Sequence, residues 1–286
     1  MKYQIPKTFM GKPVEGAMKR VLEVNPLPPN NPAPVTSSPI ITNLESPEDY
    51  LFLPRRTYGS WSYPDLHVSM YRLGMSPKVE QAGQQLGIIF SNSAKESNGR
   101  DYIGNMHWEE ALKLNLGLGG RTLNPRQFAD FLLLLKSGNA VDGTGRKVPE
   151  TKLTEILDEI TTVRSPYRAE WLDADFKYID STNKLWIHSA HSLDQNNNLN
   201  PGNMDVLENC LMTKGNRINL ATMNNQGMPT EQGNDFLYWC PDKDNKSVAW
   251  FGADSDSAGL YCSRNPTDVY SSLGVRHVRE ARAKNS

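Results

Sequence analysis

FGADSDSAGLYCSRNPTDVYSSLGVR runs from Phe251 to Arg276 of a 286-residue chain. It contains no Lys, Glu, Gln, Met or Trp, although these five types supply 55 of the 286 residues. About five of them would be expected in a window of this length. The missing types share one property. None can be reached by changing the first two bases of an Asn codon that ends in a pyrimidine, whereas every residue in the stretch can. Randomisation at Asn codons leaves such a composition, and selection for one fixed chemistry has no reason to.

The local pattern adds geometry. Val248 to Phe251 and Leu273 to Val278 read as fixed scaffold strands flanking a variable stretch. Side chains alternate across a strand. On that basis the expected ligand-binding positions are Gly252, Asp254, Ser257, Gly259, Tyr261, Ser263, Asp268 and Tyr270. Ala253, Ala258, Leu260 and Cys262 would point inward. Asn265 reads either as a fixed residue or as an unmutated variable one. Repeated replacement is tolerated where side chains are exposed, because such substitutions cost within about 0.5 kcal/mol. Tyr with Ser, Gly and Asp is also a paratope-like mixture, since Tyr adds contact area at low entropy cost.

Upstream of this stretch the chain reads as short strands near 219–222, 236–239 and 247–251, and as a hairpin joining Phe176–Ile179 to Leu185–Ile187. A polar connection from Asp194 to Asn203 separates them. Farther back the period becomes helical. Ser76 caps a helix that starts at Pro77 and ends at Gly87. Trp108, Ala111, Leu112 and Leu114 mark a second helix. Asn124 and Pro125 open a third, with Phe128, Phe131, Leu132 and Leu135 on its apolar stripe. Thr151 to Thr162 gives a fourth. Helices first and short strands later predict an α+β domain over residues 61–286, with the variable region at about 250–276. Residues 1–60 read as an N-terminal arm or linker. Residues 1–24 suggest a short amphipathic helix through Val14, Met18, Val21 and Leu22, and 25–54 carry eight prolines and run extended.

Three stretches together resemble a known family. They are Trp108-Glu109-Glu110-Ala111 followed by Gly119-Gly120-Arg121-Thr122-Leu123-Asn124-Pro125 and Gln127-Phe128; then Glu170-Trp171-Leu172-Asp173-Ala174; then Ser271-Ser272-Leu273-Gly274-Val275-Arg276. Their order is similar to that in variable proteins of diversity-generating retroelements, in the branch that resembles formylglycine-generating enzymes. Asn124-Pro125 departs from the Pro-Thr of the family's turn. The resemblance covers roughly residues 61–280. It implies a C-type lectin-like fold and a gene whose 3′ end is rewritten through error-prone reverse transcription. It also implies a surface that binds an unknown protein or glycan on a cell or virion. Two alternatives remain open: an enzyme of the sulfatase-modifying-like superfamily, and a fixed tail or fibre binding protein of a virion.

Composition narrows the classes. Net charge is −1, so no basic field suggests nucleic acid. No apolar run is long enough to insert in a membrane or act as a signal peptide, which predicts a chain made in the cytoplasm. The three cysteines, Cys210, Cys240 and Cys262, are too widely spaced for a disulfide framework or a zinc knuckle. His188 and His191, three apart on an expected strand, would fall on opposite faces and share no metal. No nucleophile, phosphate-binding or dinucleotide motif is present, so no catalytic residue, metal or cofactor is expected.

Overall fold

The structure is a computed structural model that describes residues 8–9, 12–13, 46–254 and 257–281. The chain divides into two units, residues 1–38 and 39–286. In the first, Thr8–Phe9 pairs antiparallel with Lys12–Pro13, where the sequence suggests a helix. The apolar stripe from Val14 to Leu22 and the prolines from Pro26 to Pro39 lie outside the described residues.

The second unit is α+β. The strands of its two largest sheets are β1 Tyr50–Leu53, β2 Leu66–Arg72, β3 Arg168–Ile179, β4 Lys184–Ser189, β5 Asn203–Val206, β6 Lys214–Ile218, β7 Phe236–Trp239, β8 Ser247–Asp254, β9 Ser257–Arg264, β10 Leu273–Gly274 and β11 Arg276–Glu280. Its helices are α1 Pro77–Leu86, α2 Trp108–Gly117, α3 Pro125–Lys136 and α4 Glu150–Thr161. The main sheet runs β5-β4-β3-β8-β9-β7-β6, with the short β10 beside β3. The β7/β9 and β10/β3 pairings are parallel. A smaller sheet runs β11-β2-β1.

Helices α1, α2 and α3 begin at side-chain caps. The Ser76 side chain accepts from Val79 N–H, and Gly87 closes α1 in the left-handed conformation at φ 66°. Asn124 and Gln127 make a reciprocal capping box ahead of α3. The sheet then divides the apolar side chains by parity. Leu172, Ala174 and Phe176 of β3 face α3 and α4, with Phe128, Phe131, Leu153 and Ile156. Ala169 and Trp171 face the opposite way, toward Val79, Trp108, Ala111 and Leu112 of α1 and α2.

Three boundaries differ from the sequence reading. β1 pairs with β2, and Leu51 and Leu53 are buried, so the compact unit takes in residues assigned to the arm before residue 61. The expected strand at 219–222 is a turn: Asn219 accepts Ala221 N–H with its side chain and Thr222 N–H with its carbonyl. That local bonding competes with ladder pairing. The polar connection also contains order. The Asp194 carboxylate accepts the N–H groups of Asn196 and Asn198, closing a small hairpin ahead of β5.

A buried ionic lattice ties the two sheets. Arg276 donates to both Glu170 oxygens at 2.9 and 3.0 Å and to the Ser69 carbonyl at 2.8 Å. Arg72 donates to Glu96 at 2.9 Å and to Glu159 at 3.2 Å. Next to Arg276, His277 is held neutral. Its Nδ1 lies 3.0 Å from Asn115 Oδ1, and its Nε2 accepts from Arg279 Nε at 2.9 Å. Burial, with Arg279 beside it, lowers the His277 pKa to about 3.

Candidate binding face

β8 and β9 form a hairpin whose parity sorts the side chains from Trp250 to Tyr261. Ala253, Ala258, Leu260 and Cys262 are buried in the large core, as the alternation requires. The opposite side of the hairpin carries Trp250, Gly252 and Asp254 on β8, and Ser257, Gly259 and Tyr261 on β9; beyond Tyr261 a register shift interrupts the alternation before Ser263 and Arg264. Trp239 joins them from β7, directly opposite Tyr261.

Aromatic rings run outward along this side. Trp171, fully buried, lies 5.7 Å from Trp250, which is 3% exposed. Trp250 meets Tyr261 edge-on at 5.9 Å, and Tyr261 stacks on Trp239 at 4.8 Å and 17°. On the other flank Tyr167 and Tyr270 each lie 6.2 Å from Trp250 and 6.1 Å from one another. Tyr270 is 40% exposed. The Arg264 guanidinium carbon lies 3.9 Å from the Trp250 ring centroid, and Nη2 pairs with Asp268 at 3.0 Å. The result is an aromatic face, anchored in the core and emerging at Tyr261, Trp239 and Tyr270.

The eight expected positions do not share one environment. Asp254 and Tyr270 are exposed; Tyr261, Ser263 and Asp268 are half-buried. Gly252, Ser257 and Gly259 are buried, which corrects their reading as exposed contacts. The reason is close approach of neighbouring strands. A Cβ on Gly252 would lie 2.9 Å from Ala169 Cβ, and one on Gly259 would lie 2.9 Å from the Leu237 carbonyl. Ser257 accepts from Arg217 at 3.1 Å. Asn265 caps a turn, its Oδ1 accepting Thr267 N–H and O–H, each at 3.0 Å. That is a structural use for an asparagine. Trp239, Tyr167 and Arg217 belong to the face and lie outside the stretch singled out by composition. Alternation in Phe236–Trp239 was the available signal for Trp239.

The histidines also depart from the expectation of opposite faces. β4 ends at Ser189 and Ala190 turns left-handed at φ 54°, so both rings approach Asp175. His188 Nδ1 lies 3.6 Å and His191 Nε2 3.2 Å from that carboxylate. His191 Nδ1 meets Asp173 at 2.5 Å. Burial alone would lower the His191 pKa, but the two aspartates outweigh it and raise it to about 9.

The two buried histidines set a testable pH dependence. His191, raised, adds stability that is complete below about pH 6.5 and is lost as pH climbs through 9. His277, lowered, adds stability that is complete above about pH 6.5 and is lost as pH falls toward 3. Urea midpoints are therefore expected to peak near neutrality. His191→Gln should flatten the alkaline limb, and His277→Gln the acid limb. Unchanged limbs in both variants would refute the assignments.

The remaining chemistry is subdued. Burial pushes the Cys210 thiol up to about 11 and also raises Cys240 and Cys262, so none is an activated nucleophile. Among the described residues, no group of three or more His, Cys, Asp or Glu has metal-binding geometry, and no helix is long and apolar enough to cross a membrane. A cavity lined by Phe128 and Phe251 and another lined by Asn124 and Ser189 hold about 10 Å³ each, space for about one water. No family model, curated protein or solved structure matches the chain.

Proposed function

We propose that this chain is a diversified ligand-binding protein, its C-terminal region rewritten at Asn codons by a diversity-generating retroelement. The scaffold on this reading is a C-type lectin-like domain. One observation carries the proposal: the compositionally restricted stretch coincides with a hairpin and loop that contribute Tyr261, Arg264 and Tyr270 to an aromatic face rooted in the core. Trp, Tyr and Arg are the residues over-represented at binding hot spots. A rigid support spends little free energy on ordering when a ligand arrives. The ligand class is a protein or glycan on a cell or virion surface, and the role is recognition without catalysis.

Burial refines which positions vary. Asp254, Tyr261, Ser263, Asp268 and Tyr270 remain as the variable set, while Gly252, Ser257 and Gly259 belong to the support. Sequencing the 3′ end of the gene across many isolates tests this. Differences should concentrate at those five positions and stay within the residue types reachable from Asn codons. An invariant segment, or Lys, Glu or Met appearing there, would overturn the reading.

A further inference from the structure

We propose that the aromatic face contains a carboxylate-binding subsite between the Trp250 indole N–H and the Arg264 guanidinium. The proposal rests on the face being a ligand-binding surface and names the chemistry it takes there. Trp250 is 3% exposed, and its Nε1 has no hydrogen-bond partner. Buried polar groups are ordinarily partnered, so an orphaned donor calls for an acceptor. Arg264 Nε is orphaned in the same way, and its guanidinium lies over the Trp250 ring at 3.9 Å. Two unpaired donors thus belong to two side chains in direct contact.

The site already accommodates a carboxylate. Asp268 Oδ2 pairs with Arg264 Nη2 at 3.0 Å, and the two side chains are 21% and 29% exposed, so the pair is at the surface. Asp268 acts as a tethered stand-in that satisfies one guanidinium nitrogen and leaves Nε and the indole N–H unmet. An incoming carboxylate replaces Asp268 on Arg264. As Arg264 shifts, Trp250 Nε1 is uncovered and donates to the second carboxylate oxygen. Tyr167, Tyr261 and Tyr270 wall the site, and exclusion of water strengthens charge-assisted hydrogen bonds. The carboxylate could come from an Asp or Glu on a protein or from an acidic sugar.

Titration of the full chain with sodium acetate, followed by ¹H–¹⁵N NMR, tests the subsite directly. Trp250→Phe identifies the indole cross-peak by its disappearance. That peak and the Arg264 Nε peak are expected to shift saturably with acetate and to stay put with sodium chloride at equal ionic strength. Asp268→Asn should tighten acetate binding severalfold by removing the internal competitor, and Arg264→Gln should abolish it while the remaining spectrum is unchanged. Capped Gly-Asp-Gly and glucuronate then separate a protein source from a sugar source. The proposal is overturned if the two peaks follow chloride and acetate alike, if inorganic phosphate binds as tightly as acetate, or if Asp268→Asn fails to tighten binding. Its failure would leave the sequencing test of diversification untouched, and failure of that test would leave the subsite standing.

Discussion

Replacing Arg276 by Ala should lower the unfolding free energy by about 3–5 kcal/mol, because it leaves the buried Glu170 carboxylate only the longer contact to Arg72 Nη2 at 3.9 Å. Both side chains are no more than 2% exposed, and Arg276 makes a two-pronged contact with Glu170. The substitution also removes the donor to the Ser69 carbonyl of β2. The pair therefore joins β3 of the main sheet to both β2 and β11 of the smaller one. Urea denaturation should show a large drop in midpoint at nearly constant slope. The double variant Arg276→Met with Glu170→Leu should recover much of the loss, since apolar replacement of a buried pair is often neutral or stabilising. A single variant as stable as the parent would remove Arg276 from the structural role given to it. Arg276 is the last residue of the compositionally restricted stretch and the first of β11, so it sets where the chain re-enters the smaller sheet.

Gly259→Val is expected to destabilise by about 1–3 kcal/mol or more, as overpacking of a well-packed site does. Tyr270→Ser, by contrast, should move stability by no more than about 0.5 kcal/mol, the usual range for an exposed position. Any side chain at 259 meets the Leu237 carbonyl at 2.9 Å and Leu237 Cβ at 3.0 Å, so the parallel β7/β9 pairing must open. Both substitutions are reachable from an Asn codon. A display library randomised at 259 and 270, sorted only for folded protein, would separate them. Sorting should restore Gly at 259 and leave 270 unrestricted. Equal tolerance at both positions would refute the division of the stretch into support and contact residues.

Much of the helical half was legible in the sequence. Ser76 with Pro77, and Asn124 with Pro125, are local signals whose meaning depends on backbone groups within three residues. The inward parity of Ala253, Ala258, Leu260 and Cys262 was legible for a similar reason, because alternation is a property of the strand itself. The compositional gap in 251–276 needed no structure at all. The start of the compact unit was not legible, because β1 is held by pairing to β2 and by burial of Leu51 and Leu53, which are long-range effects.

The sequence by itself determined an α+β chain and which stretch carries the restricted residue set. Tertiary structure decided which members of that set reach solvent. Parity places Gly252, Gly259 and Tyr261 on one side of the hairpin, but it cannot say which strands pair with the hairpin or how closely they approach. Ala169 and Leu237, on the strands paired to either side, press against the two glycines, while Tyr261 finds Trp239 and stays half open. The contact between Arg264 and Trp250, fourteen residues apart, likewise exists because the hairpin brings the start of β8 beside the end of β9. Exposure and donor pairing are sums over neighbours distant in sequence, and only the folded chain supplies those neighbours.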